Sequence, residues 1–272
     1  MKRILVTGAA GFVGARLVAS LESQGKCVSK IDEEYFKTEN WKSSLLSYLD
    51  KEIPQAIFHV GACSDTLEQD SQLMMLRNYE STKTIVNWAA KNGAKIIYSS
   101  SAANYGENGS YPSNIYGWSK YAAEDYVRLN QGISLRYFNV YGPGENHKGR
   151  MASFFLQAHI KNFNGEEIKL FPKKPVRDFV YINDVLSANH YALDNFGNLK
   201  AGVYDVGSCE PRSFEDGLII LNLKFSYTKE SDIPKGYQFY TSGNKAKLMP
   251  GWNPQYSLER GLKEYGLTPG IL

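Results

Sequence analysis

The chain has few cysteines, no long apolar run and no concentrated block of positive charge. Its three cysteines, Cys27, Cys63 and Cys209, are too few and too scattered for a disulfide framework or a metal site. They fit small buried residues in a reducing cytoplasm, where we expect the protein to be. The same scatter gives no reason to expect a bound metal. No apolar run approaches the ~20 residues of a membrane span, so we expect no membrane partner.

The charge balance and the start of the chain exclude further classes. The formal net charge is only +3 and no Lys/Arg cluster stands out, so nucleic acid is not an expected partner. The sequence goes almost directly into a strand pattern, so we expect no signal peptide. With 272 residues, of which 43% are hydrophobic, the chain can bury a sizeable core. It exceeds one typical domain of ~100–150 residues.

A glycine-rich turn near the start predicts a dinucleotide site. Residues 8–14 read Gly-Ala-Ala-Gly-Phe-Val-Gly, after an apolar run at 4–6 and before a helical apolar pattern at 12–21. Such glycines can merely permit a turn, but between a strand and a helix they let the pyrophosphate approach free N–H groups. Asp32 closes a second apolar run about twenty residues later, where a carboxylate accepts hydrogen bonds from the adenosine ribose.

Strand and helix patterns alternate through the first half, which predicts an α/β fold with a doubly wound parallel sheet. We expect a dinucleotide-binding domain at 1–142, with returning segments near 177–210, and a small C-terminal substrate lobe at 143–272. The predicted strands are 4–6, 28–31, 56–60, 95–99, 133–136, 179–182 and 203–206. The predicted helices are 12–21, 41–50, 78–92, 116–129 and 184–195.

Tyr116 and Lys120 lie four residues apart and therefore share one helix face. A lysine ammonium beside the phenol is expected to lower the tyrosine pKa and to prepare it as an acid and base. Ser101, at the end of a predicted strand, is the hydroxyl expected to hold the substrate oxygen. An amphipathic helix start would also explain the pair, but the upstream glycine turn and serine run favour catalysis.

The chain resembles the extended short-chain dehydrogenase/reductases that act on nucleotide sugars, a Rossmann-fold family. The resemblance is carried by GAAGFVG at 8–14, SSSAANYG at 99–106, YGWSK at 116–120, RYFNVYGPG at 136–144 and RDFVYINDV at 177–185. Within the family, the chain is most similar to the 6-epimerases of ADP-linked heptoses. Three stretches carry this closer similarity: IFHVGACSDTLEQD at 57–70, YFNVYGPGENHKGRMAS at 137–153 and KGYQFYT at 235–241.

The resemblance implies roles for particular positions. It makes Lys148 a second acid/base group that pairs with Tyr116 across the sugar, with Ser101 and Lys120 completing the catalytic set. The residues implied to hold the cofactor are Gly8, Gly11, Phe12, Val13, Gly14, Asp32, Cys63, Ser64, Asn78, Lys120 and Val140. Those implied to face the substrate are Asn139, Arg150, Phe171, Arg177 and Tyr237. The planar guanidinium of Arg177 suits a diphosphate.

The chain departs from that family on its adenosine side. No strand pattern lies between Asp32 and Ala56, where the family has a strand and an adenine-flanking aspartate. The substrate loop Phe171-Pro172-Lys173-Lys174 and Arg150 add positive charge near the expected sugar nucleotide. Asp32 favours NAD, whereas Lys37 and the resemblance favour NADP, which is our expectation, with NAD as the alternative.

The leading hypothesis is epimerisation of an ADP-linked heptose by transient oxidation and re-reduction. A 4,6-dehydratase is disfavoured because Ser101-Ala102-Ala103 lacks an acidic pair. A 4-epimerase or keto-sugar reductase of the same superfamily stays open, as does a non-catalytic dinucleotide-binding protein. We expect the substrate to be a nucleotide-diphosphate sugar and the protein to form a homo-oligomer.

Overall fold

The computed structural model describes residues 3–107, 109–234 and 237–267. Strands β1 to β12 are, in order, Arg3–Thr7, Cys27–Ile31, Ala56–His59, Lys95–Ser101, Ile133–Tyr137, Asn139–Tyr141, Lys169–Leu170, Val176–Arg177, Phe179–Tyr181, Gly202–Val206, Arg212–Ser213 and Ser226–Tyr227. Helices α1 to α9 are Phe12–Ser23, Trp41–Glu52, Ser71–Met74, Ser81–Asn92, Ile115–Leu129, Phe154–Phe163, Ile182–Asp194, Phe214–Ile220 and Leu258–Tyr265.

The central sheet has the strand order β10-β5-β4-β3-β1-β2, and every neighbouring pair is parallel. The order reverses direction at β1, which opens a crevice beyond the carboxyl ends of the strands. Helices cover both faces: Leu17 of α1 lies in one buried cluster, and Leu45 of α2 and Ile85 of α4 lie in the other. The predicted doubly wound parallel sheet is confirmed.

The sheet ends at β2. Between Asp32 and Ala56 the chain forms a 3₁₀ turn over Glu33–Lys37 and then helix α2, so no further strand follows, as the sequence pattern predicts. At the opposite edge, β10 pairs with β5, which brings the chain back to the sheet after the first excursion into the C-terminal part.

The predicted helix at 78–92 is one piece of a longer, irregular element. The chain is α-helical from Ser71, passes through a π-helical segment at Met75–Glu80 and becomes α4 at Ser81. Asp70 caps the start, because its carboxylate accepts from Leu73 N at 3.0 Å. Hydrophobic periodicity does not report the extra residue per turn, because π-helical bulges are set by local hydrogen bonds.

The C-terminal part is built from short strand pairs around aromatic side chains. β6 pairs with β9, β8 with β11 and β7 with β12. Phe155, Phe179 and Phe214 pack edge-on or tilted, with ring centroids 4.6–5.5 Å apart for the pairs that include Phe179. These contacts hold β8 and β9 against the mouth of the crevice.

In the residues that the structure describes, no helix is both long enough and apolar enough to cross a membrane. The same residues contain no cluster of His, Cys, Asp and Glu side chains that could hold a metal ion.

Candidate active site

A cavity of about 840 Å³ occupies the crevice at the carboxyl ends of the sheet strands. It extends from the 3₁₀ turn after β2, across the glycine turn, to the end of β4 and the start of α5. Most of the predicted site residues line it: Gly8, Gly11, Phe12, Val13, Gly14, Asp32, Cys63, Ser64, Ser101, Tyr116, Lys120, Asn139, Val140 and Lys148.

The glycine turn is shaped to admit an anion at the start of α1. Gly8 has φ +64°, and a Cβ there would lie 2.6 Å from Gly61 Cα. A Cβ at Gly14 would lie 1.9 Å from Gly8 O, so both positions require glycine for packing, and the positive φ of Gly8 also favours glycine there. Gly11 is the N-cap of α1 and has no side chain to cap the first N–H groups. Gly11, Phe12 and Val13 line the cavity, so the N-terminus of this helix faces it. These features fit the pyrophosphate of a dinucleotide.

The Asp32 end of the cavity has three carboxylates and two cations in its lining. Both oxygens of the Asp32 carboxylate accept from Ala10 N, at 3.0 and 3.1 Å. Glu33 and Glu34 line the same end together with Lys37 and Arg77. The Arg77 guanidinium already pairs with Glu33 at 2.9 Å. A ribose hydroxyl would therefore find acceptors here, whereas an added phosphate would meet like charge.

At the opposite end, Tyr116 and Lys120 project from α5 beside Ser101. Burial raises the pKa of Tyr116 above its usual value, and the hydrogen bond with Ser101 opposes that rise. Burial lowers the pKa of Lys120 to about 7, opposed by the negative charge of Glu124. The predicted lowering of the Tyr116 pKa is therefore wrong for this structure, because loss of hydration on burial is the largest influence on the phenol.

Lys148 reaches the cavity from the 3₁₀ turn at Asn146–Met151. Its ammonium lies 5.4 Å from the Phe12 ring centroid, and burial lowers its pKa, which the Glu145 charge opposes. The Glu145 carboxylate is fully buried and accepts from Ser153 Oγ at 2.7 Å and from Tyr265 Oη at 3.0 Å. Glu145 thereby ties the Lys148 turn to α6 and to α9.

Asn78 lies behind the cavity wall. It is 1% exposed, and its amide accepts from Cys63 N at 2.7 Å and donates to Cys63 O at 3.0 Å. It also donates to Ser119 Oγ at 2.9 Å. Its contacts therefore hold the loop after β3 against α5, with Cys63 between Asn78 and the cavity.

Arg177 lies between two aromatic rings. Its guanidinium carbon is 5.5 Å from the Phe214 centroid and 5.3 Å from the Tyr237 centroid. Phe214 lines the main cavity, and Tyr237 lines a second cavity of about 620 Å³ beside Gly106. The Phe171 ring packs edge-on against Tyr237 with centroids 5.0 Å apart. The cluster lies beside both cavities through Phe214 and Tyr237, whereas Arg177 and Phe171 line neither cavity.

The extra positive side chains of the substrate side are largely paired. Arg150 is exposed and forms an ion pair with Asp65, away from the main cavity lining. Lys173 pairs with Glu230, and Lys174 pairs with Glu215 at 3.3 Å. Within the KGYQFYT stretch, residues 235 and 236 lie outside the described residues.

Several site residues escaped the sequence analysis. Glu145 and His59 are inside stretches that carry the family resemblance, but a lone acidic residue or histidine gives no spacing signal. Phe214 and Arg77 approach the cavity only through long-range folding.

The Asp178 carboxylate, fully buried, accepts from Ser208 N at 2.7 Å and Gly243 N at 2.8 Å. Those partners lie at least thirty residues away in sequence.

Comparison with known proteins identifies relatives of this chain. The chain is 36% identical to an ADP-L-glycero-D-manno-heptose-6-epimerase of Brachyspira hyodysenteriae and 33% identical to one of Cupriavidus pinatubonensis. The first alignment covers 96% of both chains over 311 positions, and the second covers 96% of this chain and 97% of the relative. Because 311 positions exceed 272 residues, that relative has residues that this chain lacks.

Solved structures agree. The ADP-L-glycero-D-manno-heptose-6-epimerase of Helicobacter pylori superposes with a TM-score of 0.83 at 31% identity, covering 97% of this chain and 94% of that one. A UDP-glucose 4-epimerase of Thermotoga maritima gives a TM-score of 0.84 at 25% identity, covering 97% of each chain. Residues 4–207 match the family described as NAD dependent epimerase/dehydratase. The chain therefore belongs to the NAD-dependent epimerase/dehydratase family.

Proposed function

We propose that the protein is a nucleotide-sugar epimerase that inverts C6 of an ADP-linked glycero-manno-heptose. The observation that carries this proposal is that Tyr116 and Lys148 line one cavity together with the glycine turn. Relatives that align with this chain over 96–97% of their own length and are named for this activity support the substrate. The reacting sugar carbon would lie within reach of both acid/base groups in this cavity.

The two groups have complementary proton affinities. Burial raises the pKa of Tyr116, so its phenol stays protonated as an acid. Burial lowers the pKa of Lys148, which makes its amine the readier base. Environments that move two titratable groups in opposite directions are typical of acid and base partners. Lys148 would take the hydroxyl proton as the carbon is oxidised, and Tyr116 would give a proton when the carbonyl is reduced on its other face. Exchange of one proton with solvent at each group would then restore both for the next turnover.

A nicotinamide, when bound, accepts the substrate hydride and returns it, so no net oxidation results. The chain's own part is to orient the sugar. Ser101 and Asn139 line the cavity beside Tyr116 and can hold the sugar hydroxyls. Arg177, flanked by Phe214 and Tyr237, is suited to the diphosphate.

For the cofactor we propose NAD over NADP. The resemblance favours NADP, with Lys37 as a partner for the 2′-phosphate. Against it, Asp32, Glu33 and Glu34 line the same end of the cavity, and Arg77 is paired with Glu33. A 2′-phosphate would have to approach these carboxylates, so we expect NAD to bind more tightly.

The test is turnover of ADP-D-glycero-D-manno-heptose in heavy water with NAD. We expect an isomer of unchanged mass, inverted at C6, without deuterium on carbon and without net NADH. Deuterium on carbon would contradict direct oxidation and re-reduction.

A 4-epimerase is the second candidate, because the T. maritima UDP-glucose 4-epimerase has a similar fold. UDP-glucose and UDP-galactose are therefore included in the assay. Inversion of these sugars without turnover of the heptose would remove the heptose assignment and keep the mechanism.

A further inference from the structure

A fully buried histidine lies directly below the main cavity and takes no part in the proposed chemistry. His59 ends β3, is 1% exposed, and bonds a threonine on each side. Its Nδ1 lies 2.7 Å from Thr7 Oγ1, and its Nε2 lies 2.8 Å from Thr82 Oγ1. Thr7 ends β1 immediately before the glycine turn, and Thr82 is the second residue of α4, which follows the π-helical segment.

Only one assignment of donors and acceptors is consistent for the two threonines and His59. Thr82 Oγ1 lies 2.6 Å from the Asn78 carbonyl and must donate its proton there, so it accepts from His59. His59 therefore carries its proton on Nε2, and its bare Nδ1 accepts from Thr7. Thr7 Oγ1 in turn accepts from Gly61 N at 3.0 Å. Burial lowers the pKa of His59 to about 3, helped by the Lys120 charge, which keeps the ring neutral with one N–H.

The path continues to the active-site helix through Asn78, whose carbonyl accepts from Thr82 and whose side chain bonds Ser119. The Asn78 side chain donates to Ser119 Oγ, and Ser119 Oγ donates to the Tyr116 carbonyl at 2.7 Å. Each hydroxyl along the path donates once and accepts once. The path therefore begins at Gly61, packed against Gly8 of the glycine turn, and ends in the first turn of α5.

The residues just after the π-helical segment supply the acceptor that His59 needs. Ser81, Thr82 and Thr84 each donate to the carbonyl four residues earlier, at 2.5, 2.6 and 2.8 Å. Such bonds from Ser and Thr hydroxyls to the carbonyl four residues earlier are a recurrent local contact within helices. Of the three hydroxyls, the one on Thr82 also contacts His59.

We propose that His59 is a positioning residue that sets the separation between the glycine turn and the first turn of α5. A dinucleotide bound across the turn would then meet Tyr116 at the correct distance. The inference rests on the proposed role of Tyr116, because that role makes the distance matter for the rate. A neutral imidazole suits this task, since a rigid ring with one donor and one acceptor bridges two threonines that cannot reach each other.

The experiment compares two valine variants on the same helix. Thr82→Val removes the acceptor of His59 and keeps the side-chain shape, whereas Thr84→Val removes an equivalent bond to a helix carbonyl that has no link to His59. We expect kcat to fall about 10-fold or more in Thr82→Val, because small displacements at a reacting centre reduce rates strongly. We expect kcat within about 2-fold of wild type in Thr84→Val and recovery in Thr82→Ser.

Equal kcat in the two valine variants, or no recovery with serine, would overturn the proposal. Nuclear magnetic resonance of histidine labelled at its ring nitrogens gives a readout that needs no substrate. The chain has four histidines, so the His59 signal can be assigned with a His59→Gln variant. We expect the neutral Nε2–H form at neutral pH, and a charged ring or an Nδ1–H form would contradict the assignment.

Failure of the proposed function gives a different result. If Tyr116→Phe keeps the wild-type rate, the role of Tyr116 fails. The affinity for NAD then decides on His59: we expect Thr82→Val to weaken NAD binding by several-fold relative to Thr84→Val, because Gly61 borders the turn. Equal affinities would overturn the positioning role.

Discussion

The two ends of the main cavity are built in different ways. The Tyr116 end comes from β4 and α5, near the middle of the sheet, where Lys120 and Glu124 are almost fully buried. The Asp32 end comes from the sheet edge, where Glu33 and Lys37 are exposed on a short 3₁₀ turn. Geometry is therefore held by packing where the reaction is proposed to occur, and recognition depends on exposed charges at the other end.

The largest expected effect is at the Tyr116 end. Tyr116→Phe keeps the ring and removes the proton carrier, so we expect kcat to fall by ~10²–10⁴-fold with NAD affinity unchanged. Tyr121→Phe, one turn along the same helix and outside the main cavity lining, is the matched control. Steady-state kinetics and NAD titration measure both, and a nearly unchanged rate in Tyr116→Phe would move the chemistry to Lys148.

A pH experiment tests whether His59, at the buried end, stays neutral in the folded chain. The pKa of His59 is lowered to about 3 in the folded chain, while the unfolded chain takes up that proton near its ordinary pKa. Acidification therefore favours the unfolded chain, and stability is lost as the pH falls from about 6.5 towards 3, by up to about 1.4 kcal/mol per pH unit.

Urea unfolding at several pH values measures that slope. We expect a flatter slope in His59→Gln, because the variant has no ring to protonate. Identical slopes for wild type and variant would mean that His59 does not titrate in this way.

The glycine turn lies between the two ends of the cavity, where we expect the pyrophosphate of the cofactor. Gly11→Val tests that expectation. A Cβ at Gly11 would lie 3.2 Å from Gly8 O, and the valine methyl groups would enter the space expected for pyrophosphate. We expect the Kd for NAD to rise by more than about 10-fold, which is about 1.4 kcal/mol. Gly197→Val is the control, since nothing lies within 4 Å of a Cβ there. Calorimetry that gave equal affinities would contradict the phosphate-turn assignment.

The smallest expected effect is at the Asp32 end. Glu33→Gln frees Arg77 from its ion pair and removes one negative charge beside the expected 2′ position. Because both groups are partly exposed, we expect NADP affinity to gain only about 2- to 5-fold relative to NAD. Glu39→Gln, outside the main cavity lining, should leave the ratio unchanged. A preference for NADP in the wild-type protein would contradict the proposed cofactor choice.

The same contrast explains what could be predicted from the sequence. The strands of the sheet and α5 were predictable because their apolar periodicity is strong. The glycine turn and the spacing of Tyr116 and Lys120 carry a local geometric requirement, which made those positions recognisable. The missing strand before Ala56 was also predictable, because no apolar alternation occurs there.

Other features depend on contacts that periodicity cannot report. The direction of the Tyr116 pKa shift follows from burial by distant elements, and the sequence-based expectation considered only Lys120. The contacts of Asn78 depend on the π-helical segment, which looks like ordinary helix in sequence. The pairing of Arg150 with Asp65 joins residues far apart in the chain, so the charge that it adds to the substrate side could not be assigned in advance.

The sheet edge at β2 has a further consequence for how such a fold can be shortened. An open edge strand offers unpaired backbone groups to a strand of another molecule. Here the Tyr48 hydroxyl of α2 donates to the Lys30 carbonyl at 2.7 Å, and Ser29 bonds Glu52 at the end of the same helix. Helix α2 thus occupies one backbone carbonyl of β2 that strand pairing could use, and the bond between Ser29 and Glu52 fixes the helix beside this edge. A Rossmann sheet can end at this point and resist edge-to-edge aggregation, provided that the helix following β2 is kept.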